Sequence, residues 1–306
     1  MSLHPSSLPA VLSPVLTPFT SDGGPDLTKF ERQCKWLQAN NVGLAIFGTN
    51  SEANSLSATQ KIQAMQFLIK QGIDPKQMMP GTGACSIADA VAMTSAAVNE
   101  NCAGVLMLPP FYYKDVSEDG LFAYYANVIE KVGDSKLQVY VYNIPPVVKF
   151  GIPVTLLERL VKAYPKTVVG MKDSSGDWAY TESCIKALAS SGFRVYAGSE
   201  TFLLRTLRAG GVGCISATAN VNPKAISELA TNWQAADADD KQAALDVVRG
   251  AFAKYPMIPA MKAAVARYAK DTQWERLLPP LCSLNEEVKK NLYADLDAVG
   301  FSMSNL

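Results

Sequence analysis

Short runs of apolar residues alternate with longer amphipathic stretches along most of the chain. The runs "VLSPVLTPF" (11–19), "GLAIFGTN" (43–50), "MMPGTG" (78–83), "GVLMLPP" (104–110), "QVYVYNIP" (138–145), "VVGMKDSS" (168–175), "RVYAGSE" (194–200) and "GCISATAN" (213–220) are short and mostly apolar. Each carries Gly, Pro, Ser, Thr or Asn at its end. Continuous rather than alternating apolar character predicts parallel strands buried on both faces. Between them, "DLTKFERQCKWLQANN" and "SEDGLFAYYANVIEKVG" space apolar residues three and four apart, as amphipathic helices do. Eight strand–helix units in about 200 residues predict an α/β fold, a closed (β/α)8 TIM barrel. An open doubly wound sheet is the alternative, but no GxGxxG motif opens the first unit. Beyond residue 222 the strands stop, and "DDKQAALDVVRGAFAKY" and "LCSLNEEVKKNLYADLDAV" read as helix. The expected organisation is a barrel core over residues 1–222, with the last barrel helix and a C-terminal helical extension over 223–306.

Composition narrows the chemistry. With 48% hydrophobic and 18% charged residues the chain is expected to build one large core. Lys+Arg and Asp+Glu balance at 28 each, so no net field favours nucleic acid or an anionic membrane. No apolar run reaches transmembrane length, which leads to a cytoplasmic expectation. The six cysteines form no CxxC pair and read as small apolar residues. The single histidine, His4, sits in a Pro/Ser-rich terminus. A Ser-His-Asp triad and a histidine-ligated zinc are thereby excluded from the body of the chain.

In a barrel of this kind the reactive groups sit at the C-terminal ends of the strands. Those ends carry Thr17, Thr49 and Asn50, Thr82, Tyr112 and Tyr113, Tyr142 and Asn143, Lys172 and Asp173, Ser199 and Glu200, and Thr218 and Asn220. The set is too poor in clustered acids and histidines for a metal-dependent barrel. Lys172 is unusual because it ends an apolar strand. Desolvation of a lysine in an apolar barrel mouth favours the free amine, which can add to a ketone or aldehyde as a Schiff base. A nearby tyrosine can then move the protons that a histidine would otherwise carry. The structural alternative is that Lys172 pairs with a buried carboxylate such as Asp173.

"YNIP" (142–145) followed by "GMKDSSGD" (170–177) resembles the dihydrodipicolinate synthase / N-acetylneuraminate lyase family of class I pyruvate aldolases. "FGTNSEANSLS" (47–57), "PPFYYKDVSEDGLFAYY" (109–125), "GCISATANVNP" (213–223) and "MKAAV" (261–265) are similar to further motifs of that family, in the same order. The resemblance implies that Lys172 forms an imine with pyruvate or another 2-keto acid and that Tyr142 is the acid/base. It implies that Thr49 links Tyr142 to a proton relay completed by Tyr113, reaching in from a neighbouring subunit of a homodimer or homotetramer. It also implies a pyruvate carboxylate held by the loop at Thr49 and Asn50, with Gly198 and Ile215 lining the pocket. No metal or organic cofactor is required, because the imine itself is the electron sink.

Departures from the family pattern bear on the substrate. Dihydrodipicolinate synthases carry an arginine five residues after the tyrosine, where this chain has Val147. Loss of that bidentate carboxylate contact argues against the same second substrate. Asn50 and "GMKDSSGD" are most similar to the 4-hydroxy-2-oxoglutarate / 2-keto-3-deoxy acid aldolase branch. Ser51 and Lys149 stand where many members have glycine, and Lys149 meets either solvent or a second substrate carboxylate. Glu200 aligns with an acid that binds sugar hydroxyls in neuraminate lyases, or is simply an acidic residue at a helix start. The expected activity is a Schiff-base aldolase or lyase acting on a 4-hydroxy-2-keto or 2-keto-3-deoxy acid. Alternatives are a keto-deoxy sugar-acid dehydratase, a dihydrodipicolinate synthase and a barrel that only binds keto acids.

Overall fold

Residues 8–304 and 306 are described by the computed structural model of the protein, so His4 lies outside the described residues. In chain order the first elements are β1 (Val11–Ser13), α1 (Leu27–Ala39), β2 (Gly43–Leu44), α2 (Ala58–Lys70), α3 (Ile87–Asn99) and β3 (Val105–Met107). They are followed by α4 (Glu118–Val132), β4 (Val139–Asn143), α5 (Pro145–Val148), α6 (Val154–Ala163), β5 (Val168–Asp173) and α7 (Trp178–Leu188). The chain continues through β6 (Arg194–Ala197), α8 (Leu203–Arg208), β7 (Gly213–Ile215), α9 (Pro223–Thr231), α10 (Ala238–Ala253), α11 (Met257–Ala269) and α12 (Glu286–Ala298). Helix ends follow local chemistry. Ser117 caps α4 by accepting from Gly120 N, and Gly133 ends it in the left-handed conformation.

Seven strands form one parallel sheet in the order β2-β1-β7-β6-β5-β4-β3. The expected eighth run, 78–83, is not a regular strand but a set of bridges between the sheet's two edges. Met79 and Gly81 donate to Leu44 O and Ile46 O at 2.8 Å. On the other side Leu106 donates to Pro80 O at 2.9 Å and Thr82 to Leu106 O at 3.0 Å. Pro80 has no N–H to continue the ladder. Gly81 lies so near residue 47 that an added Cβ would sit 2.2 Å from the Phe47 carbonyl oxygen. The strands are also shorter than their apolar runs, because the polar ends leave the ladder as tight 3-10 turns at 49–51, 200–202 and 217–220.

Two packed layers result. Inside the curl of the sheet, Leu12, Ala45, Met79, Leu106, Tyr140, Val169, Tyr196 and Ile215 form one apolar cluster, one side chain from each neighbouring chain segment. A larger cluster fills the space between the sheet and the helices. Both strand faces are therefore apolar, which accounts for the continuous hydrophobic runs. Residues 223–304 contain no strand, and α11 is buried from Pro259 to Ala266. Among the described residues no helix is long and apolar enough to cross a membrane.

Candidate active site

Lys172 is the penultimate residue of β5, paired in register with Tyr142 on β4 and Tyr196 on β6. It is 2% exposed, and its Nζ lies 4.4 Å from the centroid of the Tyr142 ring. Successive residues on a strand point to opposite faces, so Asp173 turns away from Lys172. The Asp173 carboxylate accepts from Asn143 Nδ2 at 2.8 Å, Ser175 N at 3.0 Å, Ser175 Oγ at 2.8 Å and Thr181 Oγ1 at 2.5 Å. Those donors occupy it. Among the described residues Lys172 makes no ion pair or hydrogen bond, and the alternative of a structural Lys172–Asp173 pair is overturned.

The Tyr142 hydroxyl lies 3.4 Å from Thr49 Oγ1. Thr49 opens the 49–51 turn, so the Thr49 and Asn50 amides precede any acceptor within the turn. Three contacts hold this loop. Gly48 N donates to Ser51 Oγ at 3.1 Å, and Thr17 Oγ1 donates to Ser51 O at 2.7 Å. The next residue, Glu52, forms a fully buried ion pair with Lys262 of α11. Lys262 also donates to Arg276 O at 2.7 Å and lies over the Phe19 ring. Burial pushes the Lys262 ammonium down to about 8 against the opposing pull of Glu52, and burial pushes the Glu52 carboxyl up. Ser51 is thus a buried cap of its own loop rather than part of a substrate wall.

A cleft of about 290 Å³ opens above Lys172, bounded by Tyr142, Asn50, Gly198, Ser199, Phe202 and Arg249 among others. Gly198 is where β6 closes on β5. Its N–H donates to Asp173 O at 2.6 Å, and an added Cβ would lie 2.7 Å from both that oxygen and Ser174 Cα. Lys172, Tyr142, Asn50 and Gly198 therefore share one cavity, with Thr49 beside Tyr142.

Other expected residues sit elsewhere. Glu200 is 1% exposed and lies behind the cleft wall, where its carboxylate accepts from the Ser216 and Thr218 hydroxyls and faces Arg249 Nη1 at 3.5 Å. Its oxygens are taken by the protein, which corrects the expectation of direct substrate contact. Ile215 is fully buried in the apolar interior beneath the cleft and is not a lining residue. Val147, on α5, is 52% exposed and also lies off the cleft lining, because the one-turn helix turns it outward. Lys149 is exposed and folds back to donate to Pro146 O at 2.8 Å. Tyr113 is 71% exposed and packs edge-on against Tyr112, with no contact to Thr49 or Tyr142 of its own chain among the described residues.

Arg249 is the charged cleft residue that sequence reasoning missed. It shares a helix face with buried Leu245 and Phe252, at the i, i+4, i+7 spacing. A cation on an otherwise core-facing stripe was the available signal.

The family model described as the dihydrodipicolinate synthetase family matches residues 7–299. An uncharacterised DapA-like lyase from Chloroflexus aurantiacus is 30% identical over 281 residues, covering 91% of this chain and 93% of that protein. The crystal structure of dihydrodipicolinate synthase from Agrobacterium tumefaciens superposes with a TM-score of 0.86 at 31% identity, over 95% of this chain and 99% of that one. A prophage protein of the dihydrodipicolinic acid synthase family from E. coli K12, solved in complex with pyruvate, matches with a TM-score of 0.86 at 25% identity, over 96% and 99%. A match this long, over a sheet whose strand ends bring a free lysine and a tyrosine together, establishes that the chain belongs to the dihydrodipicolinate synthetase family.

Proposed function

We propose that the chain is a Schiff-base lyase that cleaves or forms a carbon–carbon bond of a 4-hydroxy-2-keto or 2-keto-3-deoxy acid, with pyruvate as the keto component. The observation that carries this reading is the unpaired, buried Lys172 amine beside Tyr142 at the floor of a cleft. The pyruvate complex of the E. coli relative supports the choice of keto component.

In the cleavage direction the Lys172 amine adds to the substrate keto carbon, and Tyr142 gives the proton that turns the carbinolamine oxygen into leaving water. The iminium then draws electrons from the C3–C4 bond while Tyr142, now a phenolate, takes the C4 hydroxyl proton. An aldehyde departs and an enamine remains on Lys172. Protonation at C3 and hydrolysis of the imine release pyruvate and restore the amine. Thr49 holds the Tyr142 hydroxyl in place for each transfer, and the Thr49 and Asn50 amides receive the keto-acid carboxylate.

The bridging segment 78–82 supports a closed (β/α)8 barrel in which it acts as the eighth strand. That core spans residues 1–222, with 223–306 as its last helix and helical extension. The exposed Tyr112–Tyr113 pair supports a dimer in which Tyr113 of one protomer completes its partner's Tyr142–Thr49 relay. The cleavage test is pyruvate release from a panel of 4-hydroxy-2-keto and 2-keto-3-deoxy acids, read by coupled lactate dehydrogenase. Release that is lost in Lys172→Ala supports the reading. Substrate consumption with water loss and no pyruvate would replace it with a dehydratase.

A further inference from the structure

We infer that Arg249 is a specificity-determining residue, the receptor for an anionic group, a carboxylate, at the end of the substrate remote from the keto carbon. This rests on the reading of Lys172 as the imine-forming lysine and names the substrate class of that site. Arg249 lines the same cleft as Lys172 but comes from α10, outside the strand ends that supply the other polar groups. Its side chain is 22% exposed, set into the wall. A guanidinium has five N–H donors in a fixed plane. Among the described residues it makes one polar contact, Nη1 to Glu200 Oε2 at 3.5 Å.

Glu200 fixes the direction of that guanidinium. Glu200 is 1% exposed and its carboxylate already accepts from Ser216 and Thr218, which holds it out of the cleft. It therefore acts as a positioning residue through one long contact, and Arg249 keeps its other donors uncommitted in the wall of the cavity it lines. Asp173 contributes to the cleft rim, but its carboxylate turns away from Lys172 onto Asn143, Ser175 and Thr181 and offers Arg249 no competing partner. The remaining wall combines apolar Ile144, Phe202, Ala217 and Met257 with polar Asn50, Ser174 and Ser199.

Size agrees with a group beyond pyruvate. At about 290 Å³ the cleft holds roughly ten water volumes, more than a three-carbon acid needs. One planar guanidinium matches a carboxylate in a two-bond fork. A phosphate shares that oxyanion chemistry, but among the described residues no second cation besides Lys172 lines the cleft. The fit is to a dicarboxylate, a 4-hydroxy-2-keto acid with a terminal carboxylate, rather than to a neutral polyol chain.

The test compares kcat/KM for three 4-hydroxy-2-keto acids of equal length that end in carboxylate, hydroxymethyl or phosphate. Wild type, Arg249→Met and Arg249→Lys are assayed, with pyruvate trapping on Lys172 by borohydride as the control for an intact imine site. The expected wild-type preference for carboxylate over hydroxymethyl is about 10²-fold, the scale of hydrogen bonds to charged groups. It collapses towards unity in Arg249→Met, chiefly through KM, and is partly kept in Arg249→Lys. An unchanged preference in an Arg249→Met protein that still traps pyruvate overturns the assignment and leaves the Schiff-base reading standing. A preference for the phosphate substrate overturns the carboxylate assignment. Failure of wild type itself to trap any 2-keto acid overturns both.

Discussion

Replacing Lys262 with Met isolates the buried charge that anchors the substrate loop. Glu52 directly follows the turn that carries Thr49 and Asn50, and its side chain is fully buried. Without Lys262 its remaining donor is Leu278 N at 3.5 Å. An uncompensated buried charge costs roughly 3–5 kcal/mol. The chain can escape that cost by protonating Glu52, and bringing a carboxyl of ordinary value 4.5 to its neutral form at pH 7 costs about 3 kcal/mol. The cheaper route sets the ceiling, so Lys262→Met is expected to destabilise by about 3 kcal/mol at pH 7. The sign with pH follows from linkage. In the variant Glu52 keeps a proton when folded that it releases when unfolded, so stability falls as pH rises above the unfolded value, by about 1.4 kcal/mol per unit. At pH 5 the penalty shrinks to below about 1 kcal/mol. Urea unfolding of wild type and variant at both pH values, at one fixed protomer concentration, measures the difference. Glu52→Gln combined with Lys262→Met removes the charge and is expected to recover most of the loss at pH 7. A penalty equal at pH 5 and pH 7 would refute the argument.

Tyr142→Phe is expected to lower kcat by about 10²–10⁴ while pyruvate still traps on Lys172, and an unchanged rate would place the acid/base elsewhere. Gly198→Ala forces β6 away from Asp173 O and Ser174 Cα, beside the strand that aims Lys172. A displacement of the reacting groups approaching 1 Å costs on the order of 10² in kcat/KM. A wild-type kcat/KM would show that the 2.7 Å approaches relax without moving the lysine. Sedimentation is expected to show a dimer, with Tyr113→Phe losing about tenfold or more in kcat. A fully active monomer would remove Tyr113 from the relay.

Lys172 was legible because a cation ending an apolar run has few places to go except the mouth of the barrel. The register of β4 and β5 then put Tyr142 beside it, a distance that "YNIP" and "GMKD" could imply only through resemblance. The fate of Asp173 was legible in principle, since alternation along a strand sets residues 172 and 173 on opposite faces. Glu200 was not. Its alignment marked the right wall, but Ser216 and Thr218, supplied by the next strand's end, turn the carboxylate inward. Arg249 enters from a helix that only the tertiary fold brings to the cleft, and no strand-end motif contains it. The 78–83 segment read as a strand because its residues are apolar, whereas Pro80 and the tight approach of Gly81 break its ladder into bridges.

As nucleophile, Lys172 has a rival in Lys262, also buried and with its ammonium pushed down to about 8 by burial. Incubation with pyruvate and borohydride, followed by peptide mass spectrometry, separates them. One reduced adduct is expected, on the peptide containing Lys172 and absent in Lys172→Ala. An adduct on Lys262, or none with pyruvate or any larger 2-keto acid, would contradict Lys172 as the nucleophile.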